Sequence, residues 1–182
     1  MKHSLYITFP ITVLTIAIAC GCTPYQRIPD TGIYRSKVTL AQFPGARFDA
    51  ETEFSNRRPI RHTVYYANGN TMTESILTDT TTETWVIREF YETGAQQSLF
   101  HMRHSEYVII QRWYPNGLKE LEFVRTDGKK DTGVRYYLNG KKKEEFEFVN
   151  EQRHGQWLEW DSLGAMTRNE FYQFGKLKKK LL

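Results

Sequence analysis

The side chains in this sequence with the sharpest intrinsic chemistry are two thiols, Cys20 and Cys22, both within the first 22 residues. A thiol can pair into a disulfide, ligate a metal as thiolate or accept a covalent group. No cysteine follows between Thr23 and Leu182, so a disulfide framework or a thiolate metal site in the body of the chain is excluded. Histidine is sparse, at His3, His62, His101, His104 and His154. Only His101 and His104 stand close together, and in a strand a spacing of three sends the two imidazoles to opposite faces, so they do not share an ion. Paired carboxylates such as Glu144-Glu145 belong to alternating runs and read as solvated faces. Gly-x-Ser-x-Gly, His-Glu-x-x-His, the Walker loop and the dinucleotide fingerprint do not occur. The chain is therefore read as a non-enzyme with no cofactor and no metal. One group remains, a mixture of rings and cations made of Tyr137, Lys141, Lys142, Lys143, Trp157 and Trp160. Exposed aromatics beside cations are the stuff of protein-binding hot spots. Trp157 and Trp160 are three apart and so point to opposite faces of one strand, which leaves one of them partly exposed. The alternative is that a second layer, or residues 23–60, covers that face and makes both tryptophans structural.

The two cysteines close a distinctive N-terminal stretch, MKHSLYITFPITVLTIAIACGC, with a basic start at Lys2 and His3, an apolar run from Leu5 to Ala19, and small residues before the thiol. That is the anatomy of a secretory signal. Fifteen residues at about 1.5 Å each reach about 22 Å, short of the ~30 Å hydrocarbon core, and Pro10 weakens a continuous helix. Within it, Ala17-Ile18-Ala19-Cys20 resembles the bacterial lipobox. The resemblance implies a diacylglyceryl group on the Cys20 thiol, cleavage just before it and acylation of the new amino terminus. Ala19-Cys20-Gly21-Cys22 also satisfies the pattern, which makes Cys22 the alternative. Neither Gly21 nor Thr23 is the Asp associated with retention in an inner membrane, so an outer membrane is favoured in a host that has two.

The elements after the signal are written in turns and alternation. Aromatics make up 14% of the chain, with 11 Tyr, 11 Phe and 4 Trp, and rings suit a pleated, half-buried surface. Residues 23–60 are Pro- and Gly-punctuated. IYRSKVTLAQF alternates like an edge strand and FPGARFDAETEFSNRRP looks like loop. From residue 61 a repeat appears in Tyr66-Ala-Asn-Gly69, Tyr91-Glu-Thr-Gly94, Tyr114-Pro-Asn-Gly117 and Tyr137-Leu-Asn-Gly140, whose glycines are 25, 23 and 23 apart. Trp160-Asp-Ser-Leu-Gly164 follows as a fifth copy with one inserted residue, and a period in this range marks a repeat array. Second turns fall between them at Asp127-Gly128, Asn150-Glu151 and Gly175, with weak ones near Asp79 and His104. Asn-Gly and Asp-Gly point to type I′ hairpin turns, which need positive φ at both central residues. Glu120-Leu-Glu-Phe123 and Glu145-Phe-Glu-Phe148 alternate, with rings on one face and carboxylates on the other.

The stretches Trp113-Tyr-Pro-Asn-Gly-Leu-Lys-Glu-Leu-Glu, Tyr136-Tyr-Leu-Asn-Gly-Lys, His154-Gly-Gln-Trp-Leu-Glu-Trp160 and Phe171-Tyr-Gln-Phe-Gly-Lys-Leu-Lys178 resemble the MORN-variant repeats of the YwqK-type antitoxin-annotated family. The likeness covers residues 108–182 well and 61–107 loosely. It implies successive hairpins that stack their aromatics along one elongated sheet, in four to five copies, and it specifies a fold more than a function. A lone hairpin is marginal in water, so the copies shelter one another. The Lys-rich end, GKLKKKLL, fits an edge blunted by charge.

Together these readings give an all-β, meandering antiparallel hairpin array. Residues 1–19 form a lipoprotein signal, 20–60 a lipidated tether with an edge strand, and 61–182 the repeats. The expected function is a non-catalytic, membrane-anchored scaffold that binds a protein or an envelope polymer, with an immunity or antitoxin-like protein and a cell-wall enzyme of unrecognised type as alternatives. The formal charge of +4 is mild, and the clusters Lys141–Lys143 and Lys176–Lys180 are either solvated or face anionic headgroups or an acidic partner. Export argues against nucleic acid as the ligand.

Overall fold

The computed structural model describes residues 29–104, 106–126 and 130–182, so the signal, the lipobox and Asp127-Gly128 lie outside the described residues. The described chain is all-β: β1 (Gly32–Val38), β2 (Phe48–Ser55), β3 (Arg58–Tyr65), β4 (Thr71–Asp79), β5 (Thr84–Phe90), β6 (Gln96–Arg103), β7 (Glu106–Trp113), β8 (Lys119–Thr126), β9 (Lys130–Tyr136), β10 (Lys142–Val149), β11 (Gln152–Arg153), β12 (Gly155–Trp160), β13 (Met166–Gln173) and β14 (Lys176–Lys180). They form one antiparallel sheet in chain order, with the short β11 also paired to β10. Every connection is a hairpin, the meander that alternation and turn spacing predict. The sheet starts earlier than expected. β1 is the edge strand read from IYRSKVTLAQF, but β2 occupies the FPGARFDAETEFSNRRP segment that looked like loop. Its inward positions Ala50, Thr52 and Phe54 are buried in strict alternation; two of the three are small or polar, so the hydrophobic pattern is muted.

Turn type also departs from expectation. At the Asn-Gly sites only the glycine has positive φ, as at Gly69 (85°), Gly117 (82°) and Gly140 (80°). The glycine N–H donates to the tyrosine carbonyl three residues back, at 2.9, 2.8 and 2.8 Å. These are three-residue loops that end on a left-handed glycine, not type I′ turns. The primed turns are on the opposite edge, at Asn56-Arg57 (51°, 61°), Asn150-Glu151 (49°, 60°) and Phe174-Gly175 (48°, 76°). The fifth copy holds no insertion: Asp161 takes the tyrosine position, with Gly164 N–H donating to its carbonyl at 3.0 Å. Three residues after each of the five glycines one residue is bulged out of the ladder, namely Met72, Gln97, Glu120, Lys143 and Thr167. Each hairpin thus bends at the same place.

Two small cores lie on one face. Ile110, Leu121, Phe123, Phe146 and Trp157 form the larger, joined by Phe100, Tyr107, Phe148 and Tyr172. Leu40, from the β1–β2 loop, covers Ala50, Val64 and Met72 at the other end. Among the described residues no second layer lies over the larger core. Its rings shelter one another, with Phe146 and Trp157 stacked at 5.5 Å, and guanidiniums roof them: Arg153 is 4.1 Å above Trp157 and Arg135 is 5.6 Å from Phe146. Cation–π contact and the aliphatic stems of arginine let a single-layer sheet bury large rings.

Candidate functional site

The opposite face of the same strands carries a groove of about 570 Å³. Its floor follows from register. Gln111, Glu122, Val134, Glu145 and Leu158 are successive cross-strand partners on β7, β8, β9, β10 and β12, and Ile109, Val124, Thr132 and Glu147 form the neighbouring row. The carboxylates come from the runs whose alternating rings fill the core. The apolar members, Ile109, Val124, Val134 and Leu158, break the expected pattern of a wholly polar outer face. They are the signal in the sequence that marks the groove, and reading the alternation as ring-in and acid-out missed it.

Each carboxylate on the floor is matched by a lysine. Lys119 donates to Glu122, Lys142 Nζ is 3.1 Å from Glu145 Oε1 and Lys130 Nζ is 3.0 Å from Glu147 Oε1. The Lys119 hydrogen bond, then that of Tyr136, holds the Glu122 carboxyl below the usual range. Tyr136 Oη donates to Glu122 Oε2 at 2.7 Å, and its own hydroxyl is pushed up to about 12, by loss of hydration first and by Glu122 second. The face therefore presents apolar strips crossed by neutralised carboxylate–lysine pairs, an arrangement suited to covering extended surface.

The groove ends at the repeat turns, where the site residues picked from sequence are found. Trp160 is half-buried, on the groove side, with Lys142 Nζ 5.9 Å from its ring. Trp157, on the other face, is 4% exposed inside the core, so it offers no surface to a partner. Lys143 Nζ lies 5.5 Å from the Tyr137 ring, and Lys141 Nζ donates to the Leu163 carbonyl at 2.7 Å. Tyr137, Trp160 and the three lysines are thus neighbours, and Trp157 is separate. Cys20 and Cys22 lie outside the described residues.

Sequence reasoning missed the device that holds this edge. Each turn tyrosine donates its hydroxyl to a backbone carbonyl of the next repeat: Tyr66 to Phe90, Tyr91 to Trp113, Tyr114 to Tyr136 and Tyr137 to Trp160, all at 2.8 Å. The turn asparagines add a second rail. Asn68, Asn116 and Asn139 donate to the carbonyls of Glu92, Leu138 and Ser162 at 3.1, 3.1 and 2.9 Å. Each also accepts from the N–H two residues on, which fixes its own turn. The acceptors Phe90, Trp113 and Tyr136 are the aromatics that precede the next tyrosine, and Trp160 precedes Asp161, so the repeat unit is an aromatic-Tyr pair at Tyr65-Tyr66, Phe90-Tyr91, Trp113-Tyr114 and Tyr136-Tyr137 that ends on Trp160-Asp161.

Among the described residues no group of three His, Asp or Glu side chains is placed to hold a metal ion, and no helix is long and apolar enough to cross a membrane. Compared with models of protein families and with curated proteins, the sequence matches none of either.

Proposed function

We propose that this chain is a non-catalytic lipoprotein, tethered to a membrane by lipid on Cys20, or on Cys22 in its place, whose hairpin array is a binding scaffold for a protein or an envelope polymer. The observation that carries the binding half is the row Gln111–Glu122–Val134–Glu145–Leu158, five strands wide, which mixes apolar side chains with carboxylates already neutralised by lysine. Pairing with lysine offsets part of the cost of taking these carboxylates out of water, and the half-buried Trp160 and Tyr136 at its end supply amphipathic rings of the kind hot spots use. The tether half is supported by Ala17-Ile18-Ala19-Cys20 alone. The hairpin series is in keeping with the likeness to MORN-variant repeats, whose antitoxin label makes immunity to a toxin one form this binding would take.

The two halves separate experimentally. Expressed in bacteria, the protein takes up labelled palmitate, and Cys20→Ala abolishes uptake; label surviving Cys20→Ala with Cys22→Ala removes the lipoprotein reading. Pull-downs from host envelope compare wild type with Leu158→Lys and Trp160→Ala. Loss of one captured species by a variant with unchanged circular dichroism supports the groove, and identical capture by all three discards it.

A further inference from the structure

The far end of the sheet carries chemistry that the groove does not use. All five residues of β14 are exposed, and four of them are lysines, Lys176, Lys178, Lys179 and Lys180. No ion pair among the described residues engages any of the four: the nearby carboxylate, Glu170, is taken by the Tyr172 hydroxyl at 2.8 Å and Arg168 at 3.7 Å. Apolar side chains are interleaved with these cations. Phe171, Phe174, Leu177, Leu181 and Leu182 are each between 42% and 56% exposed. Phe174 is at the tip of the two-residue turn that leads into the strand, with φ of 48°; its ring meets His154 at 5.1 Å between centroids, and the residue is still 56% exposed. No described strand pairs with the outer edge of β14.

We propose that β14, with its leading turn, is a docking edge for a membrane surface rich in anionic phospholipid. Unpaired lysines supply charge complementarity to the headgroups. The five half-exposed apolar groups supply what a phosphate or nucleic-acid ligand would not need, a means of entering the boundary between headgroups and acyl chains. The strand order puts this edge at the opposite end of the sheet from β1, about 60 Å away at ~4.8 Å per strand. The inference goes beyond the proposed lipid tether, which precedes β1 in the sequence: a chain so tethered reaches a second anionic surface with β14, or lies flat on one.

The test holds the full chain in phosphatidylcholine nanodiscs by its N-terminal segment and measures co-flotation with vesicles of phosphatidylcholine, with and without phosphatidylglycerol. Capture is expected only with phosphatidylglycerol, falling about five-fold for each lysine removed in the series ending at Lys176→Gln, Lys178→Gln, Lys179→Gln and Lys180→Gln. Phe174→Asn with Leu181→Ser and Leu182→Ser, all exposed and fold-neutral by circular dichroism, weakens capture with the lysines intact. Arg35→Gln, Lys37→Gln, Arg47→Gln and Arg57→Gln, four cations lost from the β1 end, leave it nearly unchanged. Equal capture by neutral vesicles, or full capture by the four-lysine variant, overturns the proposal. So does binding that a DNA duplex competes away and the apolar changes do not touch, which marks a site for any polyanion. Palmitate uptake is read separately, so failure here leaves the tether standing.

Discussion

The Tyr114 hydroxyl donates to the backbone carbonyl of Tyr136, 22 residues further on, at 2.8 Å. That bond crosses from one repeat turn to the next, and three equivalents flank it at the same length. A ladder strand bonds only to its neighbour, whereas these hydroxyls reach past one intervening strand and set the spacing of the turns. In the fifth turn Asp161 replaces tyrosine, and no further long turn is described beyond Gly164. Its carboxylate accepts from its own turn instead, from the N–H groups of Leu163 and Ala165 at 2.9 Å each.

Removing one hydroxyl therefore loosens a joint between copies. Tyr114→Phe is expected to lower unfolding free energy by about 1 kcal/mol, the net worth of a hydrogen bond plus an unsatisfied carbonyl. Tyr66→Phe, at a distant rung, should add to it almost independently. Urea midpoints read both. Two silent substitutions would show that the rail is incidental.

Two glycines fail on substitution for different reasons. Gly140 has φ of 80°, and Gly140→Val should lose about 1–3 kcal/mol to backbone strain. Gly133 has no positive φ, but a Cβ there would sit inside the Phe146 ring that lies over it. Gly133→Ala should lose about 1–3 kcal/mol by overpacking, and with Phe146→Leu the double variant should be more stable than the sum of the singles implies. Additivity would mean that the ring does not rest on the glycine. The Gly140 defect, by contrast, has no side-chain suppressor.

Acidity tests the polar end of the core. His62 is buried with Nδ1 2.8 Å from Thr52 Oγ1, and burial holds its pKa below 6.5. The unfolded chain thus takes up this proton first as pH falls, so the stability that neutral His62 contributes is present above 6.5 and is lost as pH drops from there toward the lower folded value. Burial raises the carboxyls of Glu89 and Glu144, which acts in the opposite direction, adding stability as pH falls toward the ordinary carboxylate range. Denaturation midpoints, followed from about pH 7 to about pH 5, should fall further for wild type than for His62→Gln. Parallel curves would move the titration elsewhere. At the alkaline end Tyr136, raised to about 12, contributes stability that is intact below 10 and lost as pH rises toward 12; its phenolate absorbance should appear late, and earlier in Glu122→Gln.

The sheet was legible where inward residues are large. Phe146, Phe148, Phe123 and Leu121 alternate with acids, and their strands stand where alternation predicts. β2 was hidden because Ala50 and Thr52 do its inward packing. The Asn-Gly loops were legible as turns but not as to type, because Asn-Gly also serves a three-residue loop in which only glycine leaves the right-handed region. The tyrosine rail was invisible in principle: its acceptors are backbone carbonyls more than twenty residues away, set by register and not by residue type. Tyr137 and Trp160 lie beside the lysines, whereas Trp157 belongs to the core, because residues three apart on β12 face opposite ways. The groove was passed over because Val134 and Leu158 sit on the face taken to be wholly polar.

The central claim is that this face of the array, and not its surface at large, meets a partner. A photo-crosslinking residue placed at Val124, 40% exposed on the groove floor, and the same residue at Ile33, 54% exposed on β1, compare two accessible sites in the living cell envelope. A discrete adduct from Val124, absent from Ile33 and lost with Leu158→Lys, is the predicted result. The same adducts from both positions, no adduct from Val124, or a Val124 adduct that survives Leu158→Lys would contradict it.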